Sequence, residues 1–385
     1  MNKEYPVGIL FSVTGSYGTV ARSMLNGAKL ACEQINADTG FGVRLNPVER
    51  DPGGDLNAYA PAVEKMIVDG VKHVVGCYTS SSRKEVIPTF EKRDALLWYP
   101  THYEGFESSA NVIYTGAAPN HHMLPLVDYV TRHIGRRVFC IGSNYIWAWE
   151  SNRVLREELV LRQGSVVGER YLPVGETDVD CIVQSIFDAN PDVVFNSLIG
   201  ESAYSFFRAF RAACQARGID QAKRYPVASC NLSEPELDRI GPDAIDGHLS
   251  SSVYFASINT VENRTFVDSY RAAFPDEKAP SAEAEAAYSA MILLAQSLRD
   301  AGTDTLRAVK TCAANQRFSA PQGEITIDPA TFHTCLTPRI GLSRRDGQFD
   351  VVFDAGRPVA PDPYLINSTA IREAPPRRTA LRIVS

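Results

Sequence analysis

The sequence predicts an α/β protein with two hydrophobic cores, each organised around a parallel β-sheet. Short β-branched and aromatic runs alternate along the chain with segments of helical periodicity, the order expected of βαβ units. The chain has 385 residues, more than one core usually spans, so we expect two lobes. A hydrophobic fraction of 44% and a charged fraction of 22% are typical of a soluble globular protein.

Five runs predict strands buried on both faces, because they are too short and too apolar for half-exposed strands. They are VGILFS at 7–12, HVVG at 73–76, ALLWYP at 95–100, RVFCIGS at 137–143 and VVFNSL at 193–198. The segment DPGGD at 51–55 predicts a turn, and no dinucleotide fingerprint or P-loop lysine follows its glycines.

Helical spacing fills the intervals between these strands. Met24, Ala28, Ala31 and Ile35 fall on one face of a helix predicted over 18–36. Further helices are predicted at 120–134, 145–163, 200–217, 262–275 and 281–301, and further strands within HLSSSVYFA and at 323–327, 337–342 and 349–353. The residues from about Asn367 onward are polar and contain Pro and Arg, which predicts a frayed tail.

Charge and composition exclude several classes of function. Lys and Arg number 39 against 45 Asp and Glu, and no basic block exceeds PPRR, so we expect no direct contact with nucleic acid. No run of about 18 apolar residues exists, so we expect no membrane insertion. The start of the chain lacks the features of a signal peptide, and eight scattered cysteines favour free thiols. We therefore expect a cytoplasmic protein, or a periplasmic one if a signal peptide has been removed.

Catalytic motifs are incomplete. Ser81 and Lys84 form an S-x-x-K pair, but the S-D-N and K-T-G elements that accompany it in penicillin-recognising enzymes do not occur. Cys77 ends an apolar strand, where a buried structural thiol is the stronger interpretation than a nucleophile. H-E-x-x-H, paired CxxC and G-x-S-x-G are absent, and we expect no catalytic residue, metal or cofactor.

The end of the second predicted strand favours a binding site. Gly76 is followed by the hydroxyl residues of 79–82 and then by a helix, which brings hydroxyls and unpaired N–H groups to the positive helix end. Such an arrangement binds a carbonyl oxygen or a carboxylate. We expect one hydroxyl to cap the helix and another to face a ligand.

Two further strand ends carry aromatic residues. Tyr99, Thr101, His102, Tyr103 and Glu104 crowd the loop after the third strand, where a core does not need them. The segment GSNYIWAWESNR contains Tyr145, Trp147 and Trp149, with packing under the loop an equal alternative for Trp149. Together they predict an aromatic pocket with a few hydroxyls and little charge, suited to a small neutral polar ligand.

Several long strings resemble those of a known family. They are GCYTSSSRKEVIP, LLWYPTHYEGFESSANVIYTGAAPN, GSNYIWAWESNR, DPGGD, AEAAY and FSAPQGEITI. They are similar to the amide sensor that regulates aliphatic amidase expression, and to its relatives, the urea and short-chain-amide binding proteins of ABC transporters. The similarity covers roughly residues 6 to 365 in the same order.

The resemblance implies a type I periplasmic-binding-protein fold. Two doubly wound, parallel-sheet lobes are joined by three crossings, with a ligand cleft between them and hinge closure on binding. The implied lobes are 1–117 with 256–327 and 118–255 with 328–365, followed by a tail at 366–385.

The resemblance also implies the ligand-binding residues. In the first lobe they are Tyr78, Ser80, Tyr99, Thr101 and Tyr103, and in the second Tyr145 and a position held here by Asn231. His102, Trp147 and Asn231 differ from the amide regulator, which leaves the ligand's identity open. We expect all nine to contribute to the cleft.

The function implied is that of a non-catalytic sensor of a small amide or urea-like molecule. In the family's regulators the partner is an RNA-binding antiterminator protein, released when an amide binds. The absent signal peptide and the eight thiols favour this branch over the alternative, the substrate-binding component of an ABC importer. An amidase with Cys77 or Ser81 as nucleophile is a third hypothesis, and homo-oligomerisation is possible.

Overall fold

A computed structural model of the protein describes residues 3–366. The strands of its first sheet are all parallel. The strand order is β2-β1-β3-β4-β5. The strands are β1 (Lys3–Leu10), β2 (Val43–Arg50), β3 (His73–Gly76), β4 (Leu96–Tyr99) and β5 (Val112–Tyr114). Because β2 and β3 pair on opposite sides of β1, the winding direction reverses at β1 and β3.

The second sheet repeats this arrangement and adds two antiparallel strands at one edge. Its order is β15-β14-β10-β9-β8-β6-β7. The strands are β6 (Arg137–Ser143), β7 (Ser165–Leu172), β8 (Val193–Ser197), β9 (Val227–Ser229), β10 (Leu249–Ser252), β14 (Arg339–Ser343) and β15 (Phe349–Asp354). Here the reversal falls between β6 and β8, which pair in parallel.

A small third sheet and twelve helices complete the described part of the chain. The third sheet contains β11 (Arg317–Ala320), β12 (Gly323–Ile327) and β13 (Thr334–Cys335). The helices are α1 (Gly18–Ala37), α2 (Leu56–Val68), α3 (Ser80–Arg93), α4 (Pro119–His133), α5 (Ile146–Leu161), α6 (Asp180–Ala189), α7 (Glu201–Gln215), α8 (Gln221–Arg224), α9 (Glu234–Ile240), α10 (Val261–Ala273), α11 (Ala282–Ala301) and α12 (Leu306–Ala313).

The chain passes between the two sheets three times. It leaves the first sheet after β5, returns after β10 so that α11 packs against α1, and rejoins the second sheet at β14. The contact between α1 and α11 is close because Gly27 has no side chain: a Cβ there would lie 2.1 Å from the carbonyl oxygen of Ala284. The residue bounds predicted for the two lobes stay a prediction.

The predicted elements agree with this fold. All five predicted buried strands are strands of parallel pairs, and the predictions at 73–76 and 137–143 match β3 and β6 at both ends. Several elements were not predicted from the sequence, among them the strands β5, β7, β9 and β11 and the helices α2, α6 and α12. The prediction of a frayed tail lies outside the described residues. All eight cysteines are free thiols, as expected.

Candidate functional site

A small cavity lies where the carboxyl ends of strands from both sheets meet, and we call it the strand-end cavity. Ligands of open α/β sheets bind at such points, where the winding direction reverses. Its volume is about 10 Å³, roughly that of one water molecule by this measure. It is lined by Tyr78 and Ser80 after β3, Thr101 and His102 after β4, Tyr145 and Trp147 after β6, and Ile199 after β8.

Two larger hollows lie elsewhere on the molecule. One has a volume of about 370 Å³ and lies among charged residues of α9, the loop after α10 and the β14–β15 turn. The other, of about 330 Å³, lies beside α4. Neither lies at the carboxyl ends of the parallel strands, so we place the candidate site at the strand-end cavity.

Six of the nine residues predicted from the sequence line this cavity, and Tyr99 and Tyr103 do not. The Tyr99 hydroxyl donates to the carbonyl oxygen of Tyr78 at 3.1 Å. Tyr103 bonds to Nε2 of His333 at 2.5 Å and stacks on Tyr114 with ring centroids 5.1 Å apart. Both rings are buried in a hydrophobic core, where their centroids lie 4.7 and 4.8 Å from the guanidinium carbon of Arg83.

Asn231 also lies outside the cavity. It is buried, and its Nδ2 donates to the carbonyl oxygen of Leu198 at 2.8 Å. That bond fixes the loop after β8, whose next residue, Ile199, lines the cavity. Ile199 was missed because a lone aliphatic residue after an apolar strand is indistinguishable in sequence from core. Trp149 does not line the cavity: it is 44% exposed, and its Nε1 donates to Oδ1 of Asn144 in the loop after β6 at 3.1 Å.

The four hydroxyl residues at 79–82 lie at the start of α3, and one of them caps the helix as predicted. Thr79 is the N-cap residue, and its side chain accepts from the N–H of Ser82 at 3.2 Å. Ser80 follows it on the cavity wall. The N–H groups of Ser80 and Ser81 belong to the first helical turn, which has no helical acceptors for them. They are therefore donors available at the positive end of the helix.

A buried ion cluster fixes the direction of the Ser80 hydroxyl. Ser80 donates its proton to Oε2 of Glu104. Arg83, with 0% of its side chain exposed, donates from Nη2 to Oε1 of Glu104 at 2.8 Å and from Nε to Glu107 at 2.7 Å. Nη1 of Arg83 lies 3.3 Å from the Ser80 oxygen. With its proton committed to Glu104, Ser80 offers a ligand a hydrogen-bond acceptor.

The hydroxyl of Thr101, like that of Ser80, is left as a hydrogen-bond acceptor. It donates to the carbonyl oxygen of Cys77 at 3.1 Å, so its remaining lone pair is an acceptor. The backbone of Thr101 packs directly on Gly116, where a Cβ would lie 2.1 Å from the Thr101 carbonyl oxygen. This close approach fixes the loop after β4 against the segment after β5.

Trp147 supplies a donor from the second lobe. The residue is 2% exposed, and its Nε1 is buried without a hydrogen-bond partner in the described chain. Buried donors in native proteins are nearly always paired, so an unpaired one on a cavity wall indicates a ligand acceptor. The ring lies 5.4 Å from His102 and 6.3 Å from Tyr145, centroid to centroid.

The walls of the strand-end cavity carry no net charge. Burial lowers the pKa of His102 to about 4, so its ring is neutral at pH near 7. Burial also raises the pKa of Tyr78 and of Tyr145, which keeps both phenols protonated. The cavity therefore combines acceptors, donors and aromatic surface without a formal charge.

The residues considered for catalysis have structural roles: Cys77 is buried and Lys84 forms an ion pair. Cys77 is fully buried, and burial raises the pKa of its thiol to about 12, so no reactive thiolate forms near neutrality. Nζ of Lys84 donates to Oε2 of Glu107 at 2.5 Å rather than to Ser81. Over residues 3–366, no group of three or more His, Cys, Asp and Glu could hold a metal ion.

The two lobes touch beside the cavity. The N–H of Glu201 donates to the carbonyl oxygen of Ser16, in the loop after β1, at 3.2 Å. Gly200, with φ of +57°, approaches so closely that a Cβ there would lie 1.9 Å from the same oxygen. Only glycine permits this contact, which joins the first turn of α7 to the first lobe.

Solved structures with this fold bind small molecules. The chain aligns over 95% of its length, at 19% identity and a TM-score of 0.82, with all of a solute binding protein of an ABC transporter from Rhodopseudomonas palustris HaA2 in complex with p-hydroxybenzoic acid. It aligns over 93% of its length, at 19% identity and a TM-score of 0.80, with all of the branched-chain amino acid transporter substrate binding protein from Streptococcus pneumoniae in complex with isoleucine.

Curated proteins also show sequence similarity, over a smaller part of the chain. The chain is 22% identical over 306 residues to the Leu/Ile/Val-binding protein homolog 6 of Brucella abortus, covering 78% of this chain and 76% of that protein. It is 29% identical over 122 residues to a limonene hydroxylase of Geobacillus stearothermophilus, covering 32% of this chain but only 22% of that protein. The second similarity is too short to transfer an activity.

The fold and the family agree with the sequence prediction of a type I periplasmic-binding-protein architecture. In the described chain, no helix is both long and apolar enough to cross a membrane. A model of the periplasmic binding protein domain matches residues 5–370, nearly the whole sequence. The chain therefore belongs to the periplasmic binding protein family.

Proposed function

We propose that this protein is a non-catalytic binding protein for a small neutral amide or urea-like molecule. The observation that carries the proposal is the polarity of the strand-end cavity, where Ser80 and Thr101 present acceptors and Trp147 presents an unpaired donor. A primary amide has the complementary pair of groups, because its NH₂ donates and its carbonyl oxygen accepts. The first-turn N–H groups of α3 are further donors for that oxygen.

The size and charge of the cavity support a compact neutral ligand over a carboxylate. The ligands named for the two solved relatives, p-hydroxybenzoic acid and isoleucine, both carry a carboxyl group. No Lys or Arg lines the strand-end cavity, and its volume of about 10 Å³ admits roughly one water-sized group, such as the NH₂ or the carbonyl oxygen of an amide. A buried carboxylate without a cationic partner would be strongly disfavoured.

Ligand binding is coupled to closure of the cleft. A ligand that contacts Ser80 and Thr101 from the first lobe and Tyr145 and Trp147 from the second stabilises the state in which the lobes meet. The population shift is limited by the difference between the affinities of the closed and open states.

For the biological role, we propose that closure of the cleft on ligand binding releases an RNA-binding antiterminator partner, which regulates amidase expression in the cytoplasm. The alternative is an importer component in the periplasm, which is favoured by the transporter named for the Rhodopseudomonas and Streptococcus relatives. The complete reading frame and its neighbours separate the two: an encoded signal peptide supports transport, and an adjacent antiterminator gene supports regulation.

Calorimetric titration with acetamide, butyramide and urea tests the binding function. We expect heat of binding and a raised melting temperature with at least one of them. Absence of both effects with all three would remove the proposal. Release of ammonia from acetamide, abolished by Ser81→Ala, would show instead that the protein is an amidase.

A further inference from the structure

A second cavity lies on the other side of His102, and we call it the glutamate cavity. Its volume is about 20 Å³, and His102 lines both it and the strand-end cavity. Its wall includes Glu283 at the start of α11, Thr115 after β5 and Ser251 on β10. No Lys or Arg is among the residues that line it.

Glu283 is the unusual residue of this cavity. Its exposure is 4%, and its Oε2 has no hydrogen-bond partner among the residues from 3 to 366. Its other oxygen, Oε1, lies 3.6 Å from Nδ1 of His102, which is beyond a good hydrogen bond. The carboxylate is also held at the start of α11 by hydrogen bonds from the N-cap residue Ser281 and from its own N–H, so the oxygen left for a ligand is Oε2. An unpaired buried carboxylate oxygen is costly unless a ligand group satisfies it.

The hydroxyl groups around Glu283 are also oriented as acceptors. Thr115 donates its proton to the carbonyl oxygen of Tyr99 at 3.1 Å, and Ser251 donates to that of His122 at 2.7 Å. With these protons committed, both oxygens offer lone pairs only. The glutamate cavity therefore presents an acidic, acceptor-rich surface to anything that enters it.

His102 separates the two cavities with a ring held mainly by edge contacts. The centroid of the imidazole lies 5.6 Å from that of His122 and 5.4 Å from that of Trp147. Because His102 lines both cavities, its side chain lies between the acceptor at Ser80 and the carboxylate of Glu283. A ligand that occupies both cavities therefore has to displace this side chain.

We propose that the glutamate cavity is a second subsite that binds a primary ammonium group, with Glu283 as its counter-ion. This inference rests on the proposed function, because the amide of the same ligand occupies the strand-end cavity. An ammonium group has three donors, which match the carboxylate oxygen and the two hydroxyl oxygens. Its source is either the ligand itself, as an amino-amide, or free ammonium bound beside a simple amide.

Titrations with isosteric pairs of amides test the subsite. β-Alaninamide and butyramide have the same chain length and differ only in the terminal ammonium or methyl group. At about pH 7.5 we expect the wild-type protein to bind β-alaninamide at least about tenfold more tightly, as a charge-assisted hydrogen bond provides. If free ammonium is the occupant, ammonium chloride will instead tighten acetamide binding while sodium chloride will not.

Glu283→Gln isolates the carboxylate, and Glu285→Gln is its matched control. Glu285 is equally buried on α11, but it is paired with Ser289 at 2.8 Å and Gln322 at 2.7 Å and does not line the cavity. We expect Glu283→Gln to abolish the preference for the ammonium group while changing butyramide affinity by less than about threefold. Glu285→Gln should retain the preference.

The outcomes separate this proposal from the previous one. Equal affinities for β-alaninamide and butyramide, with no effect of ammonium chloride, would overturn the subsite while leaving amide binding established. An equal loss of affinity for β-alaninamide and butyramide in Glu283→Gln would also overturn the subsite, because the residue would then act through packing. If none of the amides gave a heat of binding, both proposals would be overturned.

Discussion

Replacing Ser80 with alanine tests the hydrogen-bond polarity of the site. In the structure the Ser80 proton is donated to Glu104, so the ligand is expected to donate an N–H to the Ser80 oxygen. One such bond contributes about 1 kcal/mol net, which is about fivefold in affinity. Acetone is a near-isostere of acetamide that retains the carbonyl group and lacks the N–H.

Titration calorimetry of both ligands against wild type and Ser80→Ala forms a thermodynamic cycle. We expect the wild-type protein to prefer acetamide over acetone, and the variant to lose about fivefold of that preference. The loss arises only if the Ser80 oxygen accepts from the ligand N–H. An equal weakening of acetamide and acetone would refute the reasoning, because Ser80 would then contact the carbonyl oxygen or act through shape.

Stability provides the second measurement, with Ser82→Ala as control. Ser80→Ala removes the Glu104 carboxylate's bond from Ser80, and we expect a loss of about 2 kcal/mol in the free energy of unfolding. Ser82 lies on the same helical turn but away from the cavity, and its hydroxyl donates to the Thr79 carbonyl oxygen at 2.8 Å. Ser82→Ala should cost about 1 kcal/mol and leave the affinity for acetamide unchanged.

Three further predictions follow from other features of the site. Trp147→Ala enlarges the cavity, so calorimetric titrations should show that the affinity for longer amides, relative to acetamide, rises by about fourfold per methylene group. An unchanged order of affinities would mean that the indole only packs against its neighbours. Burial raises the pKa of Glu283 to about 7, above its usual value of 4.5, so stability present below pH 4.5 is lost as pH rises through 7. The free energy of unfolding of Glu283→Gln, relative to that of wild type, should therefore be up to about 3 kcal/mol higher at about pH 8 than at about pH 4.5, as measured by urea denaturation. A difference between variant and wild type that does not change with pH would contradict the raised pKa. Gly200→Ala places a Cβ against the Ser16 carbonyl oxygen and should weaken acetamide binding roughly tenfold or more by blocking closure, while Gly218→Ala, also at positive φ but with open space, should leave affinity unchanged.

The secondary structure was largely predictable because it depends on local patterns. The run at 73–76 could be predicted as a parallel strand from its length and apolarity alone. The strand β9 was missed because it has only three residues and pairs between longer strands. Its conformation depends on neighbours that no local pattern encodes.

The location of the site was easier to predict than the direction in which each side chain points. The sequence identified the loops after β3, β4 and β6, and the six predicted residues that line the cavity all follow these three strands. Tyr99 and Tyr103 face the core instead. Both surfaces of a parallel sheet are buried, so no alternation of polar and apolar residues reveals which face a ring occupies.

The sequence by itself determined the fold class, the parallel strands and the loops that form the site, because periodicity and strand-end composition are local properties. Only the tertiary structure decided the polarity of the site, since Ser80 acts as an acceptor through Glu104, which lies 24 residues away along the chain. The same holds for Glu283, which the fold brings within 3.6 Å of His102 from α11. Hydrogen-bond direction and charge in a cleft depend on pairs of groups distant in sequence, and those pairs exist only when the chain is folded.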